Sequence, residues 1–470
     1  MATIQFYGAA QVVTGSKHLI TTAHGKKLIL DCGLFQGRID NRDEMNRHFG
    51  FDPHDLDYVI LSHAHIDHSG LLPRLVKEGF RGIIFATPAT ISLCEIMLLD
   101  SAFIQNEDLR YINKRKIKRG EEPIEALYDV LDVEKTLDLM IPVEYEETIK
   151  IDPDITLTFT DAGHLLGSAA VHVDVTCKKG KKTKITFTGD IGRLNDQILR
   201  SPQPFRQCDV LICESTYGNR LHPKPADIEL QLLNVIRETC VEQKGKLIIP
   251  AFSIDRTQDL IYMLDQFANK GLLPTIKVFV DSPLSTKATA VIRKHEECFN
   301  ENFLEYIRKD PDPFGFKNLT YVSDVNQSKG INDIQEPCII ISASGMAEAG
   351  RIKHHIANNI QNPKNTILMV GYCTPESLGG KLKAGAKEVK IFGEMYPVNA
   401  KVINMDYFSA HADYGEIIKY LEHQKANKVK QVFLVHGEIE AQESLKEKLE
   451  EVGYTNIAIP KMEEQFEIIS

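Results

Sequence analysis

The chain lacks any long apolar run. Its 470 residues are 43% hydrophobic, yet no stretch approaches the roughly 18 uninterrupted apolar residues that a membrane span requires. The N-terminal sequence MATIQFYGAAQVVTGSKHLI also lacks the basic start and apolar core of a secretory leader. We therefore expect a cytoplasmic protein with no membrane segment.

Cysteine pairs and a basic excess are also missing. The nine cysteines form no CxxC pair, so the sequence favours reduced, mostly buried thiols over a disulfide framework or a cysteine metal site. The formal net charge of −10 argues against non-specific binding along duplex DNA, which usually leaves a basic signature. A polyanionic substrate must therefore meet a local positive patch or bound metal ions.

The length and the strand pattern indicate two domains. The first 90 residues read as short strands, residues 92–139 as charged helices, and strands then return. After Cys208, apolar strands alternate with helix-length segments, a rhythm typical of a mostly parallel α/β sheet. Because the C-terminal strands again end in histidine, we expect a first domain formed by residues 1–207 and 396–470, with residues 208–395 inserted as a second domain.

A basic run lies in the charged helical region. Between Lys114 and Arg119 the sequence reads KRKIKR. A solvated helix face and a nucleic-acid contact both fit this pattern.

The run His63-Ala64-His65-Ile66-Asp67-His68 is the densest group of potential metal ligands. Histidines at i and i+2 at a strand end can face the same side, while the following turn can direct Asp67 and His68 to a neighbouring position. Imidazole and carboxylate ligands suit catalytic zinc. A surface histidine cluster or one structural zinc is the alternative, but DAGH, FTGD and LVHG offer further ligands at strand ends, namely His164, Asp190 and His436.

The HAHIDH run resembles the HxHxDH signature of the metallo-β-lactamase superfamily, and other motifs follow in the expected order. These are Asp31 in LILDCG, His164 in DAGHLLGSA and Asp190 in FTGDIG. The resemblance implies an αββα sandwich. Three later residues resemble the additional motifs of the β-CASP nucleases: Glu214 in CESTYG, His411 in FSAHAD and His436 in VHGE. The predicted fold class is therefore α/β, an αββα sandwich with an inserted β-CASP domain built on a parallel sheet. By these motifs the chain resembles prokaryotic homologues of the endonuclease subunit of the cleavage and polyadenylation specificity factor.

The resemblance implies two Zn²⁺ ions per chain. It assigns one ion to His63, His65 and His164, the other to Asp67, His68 and His436, and makes Asp190 the bridging carboxylate. Asp31 is then the carboxylate that accepts a hydrogen bond from a ligand imidazole and fixes its orientation. Without the other motifs, Asp31 would read as an ordinary turn residue after a strand.

The resemblance also implies a phosphodiesterase mechanism. Two zinc ions activate a hydroxide for in-line attack on phosphorus, with Asp67 and Asp190 helping to hold it. His411 is the candidate general acid, oriented by Glu214; taken singly, these two residues would read as a helix N-terminal histidine and a strand-end carboxylate. Five further residues are candidates for binding substrate phosphates, although turn and cap chemistry explains them equally well: Ser253, Arg256, Ser342, Ser344 and Gly345.

The expected substrate is single-stranded RNA. The RNA-processing branch of the family carries a histidine at the position of His436, where the DNA-repair branch typically has valine. Endonuclease activity is favoured, with 5′–3′ exonuclease activity left open, in RNA processing or decay. Two alternatives remain at this point: a small-molecule hydrolase of the same fold and a non-catalytic scaffold of an RNA-processing complex. The sequence also leaves a homodimer and cleavage of DNA undecided.

Overall fold

The structure is a computed structural model of the chain. It describes residues 2–37, 41–176, 180–222, 228–371, 373–405 and 409–469. The chain forms two compact units: unit 1 is Met1–Leu221 with Ala410–Ser470, and unit 2 is His222–Ser409.

The strands fall into three large sheets and one small one. In chain order they are β1 (Thr3–Gly8), β2 (Lys17–Thr21), β3 (Lys27–Leu30), β4 (Tyr58–Ile60), β5 (Ile83–Ala86), β6 (Met140–Pro142), β7 (Thr148–Asp152), β8 (Ile155–Asp161), β9 (Ala169–Thr176), β10 (Lys182–Phe187), β11 (Val210–Glu214), β12 (Leu247–Pro250), β13 (Lys277–Val280), β14 (Leu319–Tyr321), β15 (Cys338–Ser342), β16 (Thr366–Met369), β17 (Glu388–Ile391), β18 (Glu394–Pro397), β19 (Lys401–Asn404), β20 (Gln431–Val435), β21 (Ile457–Ala458) and β22 (Gln465–Glu467).

The α-helices range from single turns to one long helix, α4. They are α1 (Arg42–Met45), α2 (Ile66–Ser69), α3 (Leu72–Lys77), α4 (Pro88–Lys118), α5 (Val130–Asp138), α6 (Ile228–Ile236), α7 (Arg256–Asn269), α8 (Pro283–Ile292), α9 (Glu301–Lys309), α10 (Val325–Asp333), α11 (Ile352–Asn359), α12 (Leu378–Lys383), α13 (Tyr414–Leu421) and α14 (Ile439–Glu451).

Unit 1 is a sandwich of two seven-stranded sheets. The first has the order β22-β1-β2-β3-β4-β5-β6, and the second has the order β21-β20-β11-β10-β9-β8-β7. Both sheets contribute to one apolar core, with Phe6, Ile20 and Leu30 from the first sheet and Phe159 and Phe187 from the second. Each sheet therefore buries one face against the other, which is the arrangement that stabilises a sandwich.

Helices cover the outer face of the second sheet. Ile417 and Leu421 of α13 and Leu445 of α14 join a second apolar cluster with Leu211 of β11 and Leu434 of β20. Because β11 and β20 are buried on both faces, they read as continuous apolar runs rather than as alternating ones. The predicted αββα sandwich is confirmed.

Unit 2 is built on a six-stranded sheet with the order β14-β13-β15-β12-β16-β19. All five strand pairs in this sheet are parallel. Its central strands are fully buried; β15, for example, reads CIIIS. Continuous apolar strands joined by helices are typical of a parallel sheet covered on both faces, so the predicted second α/β fold is confirmed.

The boundaries of the units differ from those expected at 207/208 and 395/396. Strand β11 pairs with β10 and β20 and so belongs to unit 1, whereas β19 pairs with β16 and belongs to unit 2. The boundaries predicted from the sequence instead place β11 at the start of the inserted domain and β19 at the start of the returning segment. The sequence of a short strand does not reveal which sheet it joins, because the pairing is set by tertiary contacts.

The structure bears on two predictions from the sequence, the buried reduced cysteines and the absence of a membrane segment. Eight cysteines in these ranges are free and buried, as predicted; the ninth, Cys177, lies outside them. Within the same ranges, no helix is both long and apolar enough to cross a membrane.

Candidate metal centre

The predicted site residues lie at the carboxyl ends of strands in unit 1. Strands β8 and β10 are both antiparallel to β9, and β10, β11 and β20 are mutually parallel. These four strands therefore end at the same edge of their sheet. His164 follows β8, Asp190 follows β10, Glu214 ends β11, and His436 follows β20.

The first sheet supplies the remaining predicted site residues from the ends of β3 and β4. These strands are parallel to each other; Asp31 directly follows β3, and His63 lies just beyond β4. His65 is the N-cap of the single-turn helix α2, which carries Asp67 and His68. Short turns at strand ends thus bring together residues that are up to 405 positions apart in the chain.

One set of ligand atoms comes from His63, His65, His164 and Asp190. The His65 Nδ1 atom lies 3.1 Å from His63 Nε2 and 3.2 Å from His164 Nε2. The Asp190 Oδ2 atom lies 3.6 Å from His63 Nε2 and 3.5 Å from His164 Nε2. All four residues place one ligand atom within 4.8 Å of the others.

A second set comes from Asp67, His68 and His436, with Asp190 at its edge. The His68 Nε2 atom lies 3.1 Å from His436 Nε2 and 3.3 Å from Asp190 Oδ1. The Asp67 Oδ2 atom lies 3.6 Å from His436 Nε2. Asp190 therefore turns one carboxylate oxygen toward each set, the arrangement expected of a bridging ligand.

These separations fit zinc ligands. Zinc binds imidazole nitrogen and carboxylate oxygen at about 2.0–2.2 Å in a tetrahedral shell, so two of its ligand atoms lie about 3.3–3.5 Å apart. The distances in both sets lie close to this value. The structure thus brings together all seven residues that the sequence assigned to the two metal ions, and their donor types suit zinc.

Hydrogen bonds fix the ring nitrogens that face the metal positions. Asp31 Oδ2 lies 2.6 Å from His68 Nδ1. Ser62 Oγ donates to the same carboxylate oxygen at 2.9 Å, and it lies 3.0 Å from His63 Nδ1. Because the Ser62 hydroxyl donates to Asp31, it accepts from His63. The His63 ring then carries its proton on Nδ1, which leaves Nε2 to bind metal, and Asp31 holds Nδ1 of His68 so that Nε2 of that ring faces the second set.

Thr216 acts in the same way on His436. Its hydroxyl donates to the His436 carbonyl oxygen at 3.1 Å and lies 3.0 Å from His436 Nδ1, so it accepts the Nδ1 proton and leaves Nε2 for metal. The sequence predicted the role of Asp31 but missed Ser62 and Thr216. Their only signal is position, since Ser62 immediately precedes the histidine run and Thr216 follows Glu214 by two residues.

Burial and charge set the protonation of the ligands. Burial lowers the pKa of His65 to about 4 and holds the pKa values of His63 and His164 well below the ordinary value. These rings are therefore neutral at neutral pH and present lone pairs. Burial disfavours an ionised Asp190, but His436 and His68 outweigh it and keep the pKa of Asp190 well below its usual range.

His411 and Glu214 form an ion pair beside the ligands. The His411 Nδ1 atom lies 3.2 Å from Glu214 Oε1, and Glu214 is completely buried. Glu214 is held in place by the backbone N–H of Ile191 at 2.6 Å and that of Thr216 at 3.2 Å. Burial disfavours protonation of His411, but Glu214 and Asp190 outweigh it and raise the pKa of His411 to about 9. The ring is thus a cation at neutral pH.

A close backbone approach packs the loop after β3 against the histidine run. A Cβ at Gly33 would lie 1.6 Å from the Asp67 carbonyl oxygen. Any residue other than glycine would therefore push the two loops apart.

The five candidate phosphate-binding residues lie in unit 2 and make local contacts. Arg256 is buried and forms ion pairs with Asp255 and Asp259. Ser342 donates to the Asp281 carbonyl oxygen at 2.7 Å. The others behave similarly: Ser253 Oγ lies 3.3 Å from Ser282 Oγ, Ser344 bonds to Ala349, and Gly345 packs against Phe252. Their role in substrate binding stays a prediction.

Comparison with known proteins places this geometry in a family. Three family models match: the metallo-beta-lactamase superfamily at residues 15–84, the Beta-Casp domain at 257–382, and the Zn-dependent metallo-hydrolase RNA specificity domain at 395–460. A ribonuclease of Thermus thermophilus is 34% identical over 434 residues, which cover 92% of this chain and 93% of that protein. The chain belongs to the β-CASP family of metallo-β-lactamase hydrolases.

Two further relatives are longer than this chain. Transcription termination factor FttA of Methanosarcina mazei is 32% identical over 447 residues, covering 92% of this chain and 66% of that protein. Cleavage and polyadenylation specificity factor 73 of Drosophila melanogaster is 29% identical over 437 residues, covering 92% of this chain and 59% of that protein. The resemblance recognised in the motifs, and with it the prediction of a metal-dependent hydrolase, is confirmed for this β-CASP chain.

Proposed function

We propose that the chain is a zinc-dependent ribonuclease that hydrolyses phosphodiester bonds of single-stranded RNA. The observation that carries this proposal is one strand-end edge with two metal-ligand sets that share Asp190, beside the cationic His411. The choice of RNA is supported by relatives that are named as a ribonuclease and as a cleavage factor.

Each side chain at the centre has a proposed role. His63, His65 and His164 would hold one zinc ion, Asp67, His68 and His436 would hold the other, and Asp190 would serve both. When bound, such a metal pair supplies a water of lowered pKa and positive charge for the phosphoryl oxygens. Asp67 and Asp190 accept hydrogen bonds from the attacking water and so orient it toward phosphorus.

His411 donates the proton that the leaving ribose oxygen requires. Glu214 accepts from Nδ1, so the proton on the other ring nitrogen is the one that can be transferred. The buried carboxylate also keeps the ring charged until the transfer. The side chain of His411 is 19% exposed, which leaves it open to a substrate, whereas Glu214 acts only through His411.

A pair of substrates tests the general acid. His411→Ala should reduce hydrolysis of RNA about 10²–10⁴-fold, the usual contribution of a general acid. It should leave hydrolysis of a bis(p-nitrophenyl) phosphodiester close to wild type, because that leaving group departs without a proton. The surface variant His48→Ala serves as control. An equal loss on both substrates, or no loss on RNA, would contradict the assignment.

We propose endonucleolytic cleavage as the main activity, with 5′–3′ exonuclease activity as the secondary one. One RNA labelled at either end, prepared with a 5′-triphosphate and with a 5′-monophosphate, separates them. Internal fragments that are independent of the 5′ group indicate endonuclease activity. Mononucleotides released from the 5′ end indicate exonuclease activity.

A further inference from the structure

The C-terminal half of α4 presents a charged face that the metal centre does not use. Between Phe103 and Arg119 there are six basic and two acidic side chains, although the whole chain has a formal net charge of −10. This half-helix is therefore locally basic, whereas the rest of the chain is acidic.

One face of this half-helix is packed and the other is open. Asn113 bonds to both the N–H and the carbonyl oxygen of Ile124, each at 2.8 Å, and Ala102 is fully buried. On the open side, Tyr111, Lys114, Arg115 and Lys118 are exposed. Their spacing of i, i+3, i+4 and i+7 places them along a single helix face. We call these four residues the α4 stripe.

The stripe combines an aromatic ring with positive charge. Tyr111 is 60% exposed, and the Arg115 guanidinium lies over its ring at 4.4 Å. Lys114 and Lys118 form no ion pair with any residue in the described ranges, whereas Arg110 and Lys116, off the stripe, are paired with Glu107 and Glu121. The unpaired charges are thus on the same face as the ring.

We propose that the α4 stripe binds the backbone and one base of single-stranded RNA outside the metal centre. Lysines that track phosphates and an aromatic ring on which a base stacks are the features of sequence-tolerant single-strand binding. The inference rests on the proposed ribonuclease function and adds a second contact to the same substrate.

The test uses charge reversal with a matched control. Lys114→Glu/Lys118→Glu removes two stripe charges, and Lys150→Glu/Lys428→Glu makes the same change at exposed lysines elsewhere in unit 1. For a 20-nucleotide RNA, we expect kcat/KM of the stripe variant to fall at least about fivefold. The slope of log affinity against log salt should become flatter by about 1.4, because each phosphate contact on a single strand contributes about 0.7 and two contacts are lost. Tyr111→Ala should weaken affinity at least about fivefold without changing the salt slope. Cleavage of a dinucleotide should be unchanged in all variants.

Three outcomes of these measurements would overturn the inference. Equal behaviour of the stripe and control variants on the long RNA would overturn the inference while the ribonuclease function stands. A variant that changes the oligomeric state in light scattering would assign the stripe to contacts between copies of the chain and also overturn it. A wild-type chain that neither binds nor cleaves either RNA would overturn the inference together with the proposed function.

Discussion

Asp31 Oδ2 lies 2.6 Å from His68 Nδ1, and both side chains are buried. Through Ser62, the same carboxylate also orients His63. One residue that binds no metal therefore sets the ring orientation of one ligand from each set.

Asp31→Asn should lower zinc affinity about 10- to 100-fold, the usual effect of losing such an orienting carboxylate. The fold should be retained, since the substitution keeps the side-chain shape. Competition with a chromogenic chelator measures the effect. Asp52→Asn is a matched control because Asp52 forms the same contact with His54 Nδ1, at 2.9 Å, on the exposed surface; its affinity should equal that of wild type.

Glu214→Gln should lower kcat for RNA without raising KM. The amide keeps the size of the carboxylate but removes the charge that raises the pKa of His411. The loss should be smaller than the roughly 10²–10⁴-fold expected from removing the acid itself, because His411 is still present. A rise in KM at constant kcat, measured on the same RNA, would instead indicate that Glu214 serves substrate binding.

The sequence was sufficient to predict this cluster of candidate ligands, because its members are concentrated in short motifs at strand ends. His63 to His68 occupy six consecutive positions, and the partners His164, Asp190 and His436 each follow a strand. Ser62 and Thr216 could not be predicted, since a hydroxyl beside a motif has no pattern of its own. Strands β11 and β19 lie in other units than the sequence predicts for a related reason, because the sequence of a short strand does not encode its neighbour in the sheet.

Gly33→Ala should destabilise the chain and weaken zinc binding together. The new methyl group would meet the Asp67 carbonyl oxygen, and overpacking of this kind costs about 1–3 kcal/mol. Gly330→Ala is the control: this glycine lies in α10 with no atom within 4 Å of the added Cβ, so the substitution should stabilise the helix by about 1 kcal/mol. Thermal unfolding with and without zinc compares the two; equal melting temperatures would contradict the steric account.

Asp265 should make the stability of unit 2 depend on pH. Burial raises the pKa of this carboxyl to about 7, although the Tyr306 hydroxyl donates to it at 2.6 Å. The fold therefore favours the protonated form, and the stabilisation is present below the unfolded pKa of about 3.9 and is lost as pH rises toward 7. Relative to Asp265→Asn, the wild type should be more stable in urea at pH 5 than at pH 8. A difference that does not change with pH would contradict this.

The two-zinc mechanism is tested most directly by adding zinc to the metal-free chain while following RNA cleavage. We expect no cleavage without zinc and full activity at about two equivalents per chain, the stoichiometry of a two-metal site. Full cleavage by the metal-free chain, or saturation at one equivalent, would contradict the mechanism.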